Sequence, residues 1–533
     1  MSATPTTRSA RPGWIPRPDR ADAILFLAGV NLMLAQLAGI RELATLAGAN
    51  ELVILATTIG CMLGASLGSA LARRIDGAAL LALALATAAF HLSLPFSPRW
   101  AAAWLHQAGL AALIPWIGTA AGLLALTPFQ ALLLPRIVAV TRASSPGAGS
   151  LARPYAWEVT GGLAALGLVA ALPAARMDTV MSVNLVAMLA TLALVFPRIN
   201  VLAPVVAILP VAYLLAWDPL HRASLRSLYR GVAGLEGAEI VASEYSRYQR
   251  VDLVRHSGET LLYLNGNLLY GTRPLHVHNL LVATAPSWFA AERPPAVLLV
   301  AGGSLDNVRS LAPRVARLDV VEIDETVVRL AREHIQDPRR GFPAEPWNLV
   351  IDDGKRFLAA PRAYRYDLIA LDLAVPTFAQ ASQLYSARFL RRARENLEPG
   401  GILSVALGGR LEPRAPGEAG SGSGLANRIA AGLAATFPHV TVVRVGSRDY
   451  AWASQRPLGV TGPDLQGRVD QHLESRPDGR VMHGSPVVRV LDDRQVRAAV
   501  AGFEPVADAD VRLALDLSWR KLRARFGESA SRD

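Results

Sequence analysis

The sequence predicts two kinds of fold in one chain, a multi-span α-helical membrane domain and a doubly wound α/β domain. Hydrophobic residues make up 52% of the 533 residues, which is high for a soluble protein. Nearly all of the hydrophobic excess lies before about Trp217. After residue 296, short apolar runs alternate with helix-like segments, which is typical of a parallel sheet covered by helices. A chain of this length is also too long for one compact core.

These changes of pattern divide the chain into five predicted parts. They are a cytoplasmic tail at 1–20, a transmembrane domain of about eight helices at 21–217, a linker and β-hairpin subdomain at 218–295, the α/β domain at 296–465, and a polar, helical C-terminal extension at 466–533.

The apolar half contains runs of the length that crosses ~30 Å of hydrocarbon. We predict spans near 22–40, 51–72, 77–95, 101–118, 120–140, 156–174, 178–196 and 200–217. The 101–140 stretch is too long for one helix, and Pro115 and Gly118 offer a break. Arg73-Arg74 and the arginines after Asp218 are expected on the cytoplasmic side, which places the α/β domain there as well.

Two features of the apolar half bear on packing and on charge. Gly60, Gly64 and Gly68 recur every four residues and predict a smooth helix face for close helix contact. Arg41 and Glu42 are expected at a helix end, in contact with lipid headgroups.

The formal net charge of +11 comes almost entirely from arginine, since Lys355 and Lys521 are the only lysines. No basic stripe is interleaved with aromatic residues, so we predict a lipid bilayer rather than nucleic acid as the partner. The single cysteine, Cys61, excludes a disulfide framework within the chain.

The segment before the α/β domain changes to a strand-like period. Two runs of strand-forming residues flank Asn265-Gly266, a strong two-residue hairpin signal. His276 and His278 follow, without Cys, Asp or Glu at ligand spacing, so a pocket wall or a helix start is favoured over a metal site. We therefore expect no metal.

The α/β domain opens with a nucleotide-binding pattern. An apolar run at 296–301 breaks into Gly302-Gly303, and a second apolar run ends at Glu322. The glycines let the backbone approach a ligand closely, and an acid at a strand tip can accept hydrogen bonds from a ribose diol.

Two further acids follow predicted strands. Asp353 comes after the strand at 347–351, and Asp372 follows the strand at 366–371. One acid at a strand end is usually a helix N-cap, but three acids on one edge, with a glycine pair, favour a ligand site.

The residues resemble the polyamine aminopropyltransferase (spermidine synthase) family, and in particular its bacterial membrane-fused, multi-span branch. The resemblance implies a Rossmann-like, class I methyltransferase-type fold and a bacterial inner-membrane location. It is carried by LFLAGVNLMLAQLAGIREL at 25–43, YAWEVTGGLAALG at 155–167, YQRV at 248–251, VVEID at 320–324, DDGKRFL at 352–358, YDLIALD at 366–372 and LYSARFL at 384–390.

The resemblance also implies roles for single residues. Gln249, Gly302 and Gly303 would contact the sulfonium nucleoside donor. Glu322 would hold the ribose hydroxyls of the donor, and Asp353 would accept a hydrogen bond from its adenine amino group. Asp372 would be the catalytic acid that takes a proton from the attacking amine. His276 and Tyr450 would lie in the acceptor pocket.

Three positions depart from the family pattern. Ser304-Leu305-Asp306-Asn307 follows the glycines where the family has an acid, so either Asp306 is that acid displaced by one or two positions or the acid is lost. Val375 replaces a second acid after Asp372, and the segment His276-Val277-His278-Asn279 lacks a third. Fewer carboxylates predict a less negative pocket and an acceptor other than simple putrescine. Near the end of the chain, Leu491-Asp492-Asp493-Arg494 either resembles a short family motif or is a helix cap.

The predicted function is therefore transfer of an aminopropyl or related alkyl group from decarboxylated S-adenosylmethionine to an amine, without a cofactor. Two alternatives stay open: a methyltransferase that uses intact S-adenosylmethionine, and a non-catalytic membrane transporter or assembly partner. Each of these functions is compatible with a homodimer or with a partner in a membrane complex.

Overall fold

The computed structural model describes most of the chain. The described residues are 18–46, 50–144, 151–171, 177–197, 203–271, 276–335, 347–373, 379–412, 424–474 and 486–526. They form two compact units, one of Met1–Arg250 with Leu522–Asp533 and one of Val251–Lys521. Val375, one of the departures noted above, lies outside the described residues.

The first unit is built mainly of helices. They are α1 (Pro18–Leu46), α2 (Glu51–Leu71), α3 (Gly77–Ser93), α4 (Ser97–Gln107), α5 (Ile117–Ala121), α6 (Pro128–Ser144), α7 (Ala152–Ala171), α8 (Met177–Val195) and α9 (Ala203–Ala233), with a 3₁₀ turn at Ala111–Trp116, a π-helical turn at Gly122–Leu126 and strand β1 (Glu239–Tyr245).

Four stretches of described helix are long and apolar enough to cross a membrane, judged by length and composition alone. They are Arg20–Leu46, Glu51–Leu71, Ala111–Val140 and Met177–Val195. The pair α3 and α4, bent by 81°, would make a fifth. The eight predicted spans therefore stay a prediction.

The break in the 101–140 stretch lies earlier than expected. Helix α4 ends at Gln107, and Pro115 sits inside the 3₁₀ turn that follows rather than at the break itself. The last helix of the first unit, α9, continues past Asp218 to Ala233. The apolar run ends at Asp218, but the helix continues through the polar residues that follow.

The glycine stripe of α2 packs as predicted. A Cβ atom added at Gly60, Gly64 or Gly68 would collide with the backbone oxygens of Thr119, Gly122 and Pro128, respectively. The three glycines therefore let α2 lie directly against the backbone of the segment from α5 to α6.

The expectation of headgroup contact for Glu42 is wrong. Its side chain is 2% exposed and pairs with Arg99, Nη2 to Oε2 at 2.6 Å, while Arg250 Nη1 lies 3.5 Å from the same oxygen. Tyr245 donates to its other oxygen. A buried carboxylate needs such partners, and helix α4 and the segment after β1 supply them.

The second unit alternates strands and helices. Its strands are β2 (Arg250–His256), β3 (Glu259–Leu264), β4 (Asn267–Gly271), β5 (Ala296–Val300), β6 (Arg317–Glu322), β7 (Trp347–Ile351), β8 (Tyr366–Leu371), β9 (Leu397–Ala406), β10 (His439–Val445), β11 (Arg448–Ser454) and β12 (Val488–Leu491). Its helices are α10 (His276–Asn279), α11 (Ala285–Ala290), α12 (Asp306–Leu311), α13 (Glu325–Leu330), α14 (Gly354–Ala359), α15 (Ala379–Ser382), α16 (Ala387–Glu395), α17 (Leu425–Thr436), α18 (Gly462–Glu474), α19 (Asp493–Val500) and α20 (Val511–Phe526).

Eight strands form the main sheet, in the order β12-β10-β11-β9-β8-β5-β6-β7. The five strands from β9 to β7 are parallel, as predicted. The expectation of an entirely parallel sheet is wrong at the other end, where β9, β11, β10 and β12 pair antiparallel. Only two residues join β10 to β11, and a parallel pair would need a crossover of about a dozen residues.

The predicted hairpin is confirmed. Leu264 pairs with Asn267, and the two turn residues Asn265 and Gly266 have φ of +50° and +75°. Positive φ at both central residues is the geometry that Asn-Gly favours in a two-residue hairpin.

Candidate functional site

The parallel strands β7, β6, β5 and β8 are neighbours, so their carboxyl ends lie along one edge of the sheet. Backbone bonds extend this alignment beyond the strands: Asp372 N donates to Val300 O at 3.0 Å, and Asp352 N donates to Glu322 O at 3.0 Å. Asp353, Glu322, the glycine pair and Asp372 therefore follow one another along this edge, where open α/β sheets bind ligands.

The glycine turn after β5 is tightly packed against the sheet. A Cβ atom at Gly302 would collide with the side chain of Leu299, and one at Gly303 would lie 2.6 Å from Glu322 Oε2. The turn also holds Ala301 and Leu305 at φ of +64° and +60°, a conformation that costs a residue with a Cβ about 1 kcal/mol or more. Strain of this kind is common where a backbone is shaped for a ligand.

Glu322 ends β6, and its carboxylate is held by three backbone N–H groups. Oε2 accepts from Gly303 at 3.0 Å, while Oε1 accepts from Ile323 at 2.8 Å and Asp324 at 3.0 Å. Burial raises the pKa of the Glu322 carboxyl to about 7, against these backbone hydrogen bonds, which lower it. The group is therefore fixed in direction and changes charge close to neutral pH.

Asp353 stands at the N-terminus of α14 and acts there as a helix N-cap. Its Oδ1 accepts from Lys355 N at 2.8 Å, and the side chain is 38% exposed. Oδ2 lies 3.9 Å from Lys355 Nζ. The capping role does not occupy the carboxylate fully, because an N-cap uses one oxygen.

Asp372 follows β8 and is the centre of a small polar cluster. Its Oδ1 lies 3.0 Å from His278 Nε2, and its Oδ2 accepts from Asn307 Nδ2 at 3.3 Å. Only 12% of the Asp372 side chain is exposed, against 19% for His278. The carboxylate is thus held from two directions while keeping some accessible surface.

Tyr450, on β11, lies beside this cluster. Its ring centroid is 5.7 Å from that of His278, and burial raises the pKa of its phenol. The positive charge of Arg448 opposes this rise in the pKa, and the negative charge of Asp372 adds to it. Tyr450 therefore lies beside the histidine that contacts Asp372, and its place in an acceptor pocket stays a prediction.

Asp306 begins α12 and forms a second acidic point near the glycine turn. Its Oδ2 accepts from Asn279 Nδ2 at 2.5 Å, and its Oδ1 accepts from Tyr270 at 3.4 Å. Asn279 follows His278 on α10, and Asn307 follows Asp306 on α12. Asn279 on α10 thus bonds directly to Asp306 on α12, while their neighbours His278 and Asn307 both bond to Asp372.

Two predicted site residues are placed less directly. His276 begins α10, but its side chain lies outside the described side chains; His278, two residues later, is the histidine that contacts Asp372. Gln249 belongs to the first unit, where its carbonyl accepts from Ser246 N at 2.8 Å in the turn after β1. Its contact with a donor stays a prediction.

Sequence reasoning did not assign Asn307, Tyr385 or the contact of His278 with Asp372. Tyr385 donates to Leu373 O at 3.3 Å, and burial together with the charge of Asp372 raises the pKa of its phenol. A signal existed for His278, because residues two apart on a helix point to different sides and only one of two such histidines can face a site. In the part of the chain that the structure describes, no three His, Cys, Asp or Glu side chains are grouped as metal ligands would be.

Residues 277–408, which include most of α10, the glycine turn, Glu322, Asp353 and Asp372, match the model of the spermine/spermidine synthase domain. This part of the chain is similar to a spermine/spermidine synthase domain, and the α/β domain that contains it is called the synthase domain below. The match begins at α10 and ends just after β9, so Tyr450 on β11 lies beyond it.

The relatives of this synthase domain are transferases. The chain is 30% identical to the polyamine aminopropyltransferase of Aeropyrum pernix over 197 residues, which cover 36% of this chain and 59% of that protein. It is 33% identical to the polyamine aminopropyltransferase of Mycobacterium tuberculosis over 175 residues, 32% of this chain and 33% of the relative. The chain thus spans between a third and three fifths of the length of these relatives.

Solved structures of spermidine synthases overlap the synthase domain more loosely. The match to the spermidine synthase from Thermotoga maritima covers 41% of this chain and 73% of the Thermotoga chain, with 20% identity and a TM-score of 0.33. A spermidine synthase in complex with the transition-state analogue AdoDATO covers 52% of this chain and 88% of its own, with 19% identity and a TM-score of 0.36. The strand order described above, rather than these overlaps, defines the Rossmann-like fold of the synthase domain.

Proposed function

We propose that the synthase domain transfers an aminopropyl group from decarboxylated S-adenosylmethionine to an amine. The observation that carries the proposal is the edge on which Asp353, Glu322, the glycine pair and Asp372 follow one another, with Asp372 held by His278 and Asn307. The named relatives, which are polyamine aminopropyltransferases, support the same reaction.

The edge offers separate places for the parts of a sulfonium nucleoside. Parallel strands are spaced by about 4.8 Å, so three strand spacings separate the end of β7 from that of β8, about 14 Å. This is the scale of a nucleoside with its side chain. We infer that Asp353 faces the adenine, that Glu322 faces the ribose diol, and that the carbon attached to sulfur lies toward Asp372.

The chemistry needs few groups. An alkyl amine is protonated near neutral pH and must lose a proton before it attacks the carbon attached to sulfur. As the new N–C bond forms, the C–S bond breaks, and its electron pair stays on sulfur, which becomes a neutral thioether. The Asp372 carboxylate stabilises the positive charge that develops on the amine, and the pocket holds the partners in line.

We propose further that the acceptor is not simple putrescine. The segment after the glycines has its acid at Asp306 rather than directly beside them, and Asn279, in the segment that lacks a family acid, uses its amide to bind Asp306. A diamine needs a carboxylate for its far ammonium group, and replacing acids by neutral residues weakens that grip. Asp306, partly exposed beside α10, is the acid that a longer or differently shaped amine could reach.

We also propose that the helices of the first unit lie in a lipid bilayer, with the synthase domain on the cytoplasmic side of a bacterial inner membrane. Many large apolar side chains on these helices are exposed, which a water-soluble surface of this size would not tolerate. The most exposed among them are Met62 at 65%, Trp104 at 63%, Leu124 at 66%, Leu163 at 61%, Ile208 at 63% and Leu215 at 77%. Retention in the membrane pellet after an alkaline carbonate wash is expected, and release to the supernatant would contradict this placement.

The enzymatic proposal is tested with the full-length protein in detergent. The protein is incubated with decarboxylated or intact S-adenosylmethionine and a panel of mono-, di- and polyamines, and product masses are recorded. A mass gain of one aminopropyl unit, lost in Asp372→Asn and retained in Asp464→Asn, supports the proposal. Asp464 is a suitable control because it is exposed and, in the part of the chain that the structure describes, its carboxylate pairs with Arg468 on its own helix.

Other products would decide between the alternatives. A methyl gain with the intact donor would replace the proposal by a methyltransferase. Donor binding without any product would leave a sensor or an assembly partner.

A further inference from the structure

The contact between His278 and Asp372 has a defined direction. Nε2 of His278 faces Oδ1 of Asp372 at 3.0 Å, and an ionised carboxylate has no proton to give. The proton of this hydrogen bond therefore sits on Nε2, and the neutral imidazole keeps Nδ1 as its acceptor nitrogen. Among the described residues, Nδ1 has no hydrogen-bond partner, and the side chain is one-fifth exposed.

Each oxygen of the Asp372 carboxylate already takes part in one hydrogen bond. Oδ1 faces His278, and Oδ2 accepts from Asn307, whose side chain is almost fully buried. Each oxygen keeps a further lone pair, so the carboxylate can still balance positive charge nearby. Among the described residues, no donor binds Nδ1 of His278, so an ammonium group would meet no competing donor at that nitrogen.

The helix that carries His278 is fixed relative to the carboxylate. Asn279, the next residue, donates to Asp306 at 2.5 Å, and Asp306 precedes Asn307 on α12. Farther along, Leu281 O accepts from Trp452 Nε1 at 3.0 Å, which ties the segment after α10 to β11. The imidazole is thus held from both the glycine-turn side and the β11 side.

We propose that His278 is the catalytic base that removes the proton from the acceptor amine, and that Asp372 orients its imidazole and balances the resulting charge. This inference rests on the proposed aminopropyl transfer. The ammonium proton of the acceptor moves to Nδ1 of His278, the amine electron pair attacks the carbon attached to sulfur, and the C–S electron pair leaves with the thioether. The imidazolium then returns its proton to water, so no other reactant is needed.

The electrostatic surroundings fit this role. Among the described residues, the titratable groups around His278 are Asp372 after β8, Tyr450 on β11 and, through Asn279, Asp306 on α12. Two of the three are carboxyl groups, and the third is a buried tyrosine. The Asp372 carboxylate thus lies next to the imidazole that would receive the proton.

The test uses His278→Gln in the full-length protein, because a glutamine amide can still donate to Asp372 but cannot accept a proton. We expect kcat to fall about 100-fold or more, which is the usual effect of losing a general base. The KM for the amine should stay within about threefold, because the loss is confined to the proton-transfer step. His334→Gln is the matched control, because His334 lies beside Glu333 on an exposed helix end.

Two results would overturn the role of His278. One is a His278→Gln variant with nearly normal kcat and a raised KM for the amine, which would make the residue a binding group only. The other comes from nitrogen NMR of histidine-labelled protein, with His278→Gln used for assignment. The proposal requires the proton on Nε2 in the neutral form; a proton on Nδ1 would contradict it.

The failure of this inference is distinguishable from failure of the proposed function. A wild-type protein that forms no aminopropyl product with any amine contradicts the proposed function. An active wild-type protein with an equally active His278→Gln variant contradicts only the role of His278.

Discussion

Gly303 and Glu322 are fitted to each other at the centre of the candidate site. The amide of Gly303 donates to Glu322 Oε2 at 3.0 Å, and a Cβ atom at residue 303 would lie 2.6 Å from the same oxygen. Because Gly303, in the turn after β5, has no side chain, the Glu322 carboxylate at the end of β6 can point at its amide.

Gly303→Ala should displace the Glu322 carboxylate and weaken nucleoside binding. The added methyl group would also lie 2.9 Å from Val327 Cγ1, so the neighbours must move. We expect the affinity for methylthioadenosine, the nucleoside left after transfer, to fall about tenfold or more through this overpacking. Calorimetric titration measures it, and Gly409→Ala is the control, because no atom lies within 4 Å of the added Cβ atom there. Equal affinities in the two variants would argue against Glu322 as a ribose ligand.

Binding of the nucleoside should weaken as the solution becomes more acidic. Glu322 has a folded-state pKa of about 7, raised by burial, so it is ionised above that pH and neutral below it. If the ionised form holds the diol, affinity for methylthioadenosine is full above about pH 8 and falls about tenfold per pH unit well below 7. Equilibrium dialysis across this range measures the effect, and Glu322→Gln should show a flat profile. A flat profile in the wild-type protein would contradict the assignment.

Ala301→Gly should stabilise the glycine turn. Ala301 has φ of +64°, which glycine adopts freely, and relief of this strain outweighs the added freedom of the unfolded chain. We expect a local gain of about 0.5 to 1 kcal/mol, seen as slower hydrogen exchange of the β5 and β8 amides. The same substitution inside helix α17, Ala430→Gly, should cost about 1 kcal/mol. Faster exchange near β5 in Ala301→Gly would refute the strain.

Glu42→Leu should strongly destabilise the first unit. The carboxylate is the common partner of Arg99 and Arg250, both almost fully buried, and its removal leaves two buried cations facing an apolar group. Loss of one member of a buried ionic cluster typically costs about 3 to 5 kcal/mol. Asp218→Ala removes an exposed pair with Arg222 and should change stability by about 0.5 kcal/mol or less. Thermal melting in detergent compares them, and similar melting temperatures would show that the cluster is dispensable.

The strands of the site could be predicted because each is an apolar run that ends abruptly at a polar residue. The predicted strands at 347–351 and 366–371 coincide with β7 and β8, and the acids after them reach the expected edge. The antiparallel end of the sheet could not be predicted in the same way. A strand reads alike in either direction, and only the two-residue connection between β10 and β11 decides how they pair.

Single side-chain contacts were harder to predict than strands. That Glu42 is buried depends on Arg99 and Arg250, which are distant in the sequence, so no local pattern indicates it. The motif at Leu491-Asp492-Asp493-Arg494 was ambiguous for a different reason: a local role, as a helix cap, is enough to explain its residues. Asp492 and Gln495 form a capping box at the start of α19, which accounts for the motif without any further duty.

Strand β11 has a consequence for how the protein is made. The strands that carry Glu322, Asp353 and Asp372 precede it in the chain, yet Tyr450 and the tie from Trp452 to the segment after α10 come only with β11. During translation, the edge that we propose as the nucleoside site therefore leaves the ribosome before the strand that lies beside His278. A chain interrupted after β9 would keep Glu322, Asp353 and Asp372 but lack Tyr450 and the hydrogen bond from Trp452.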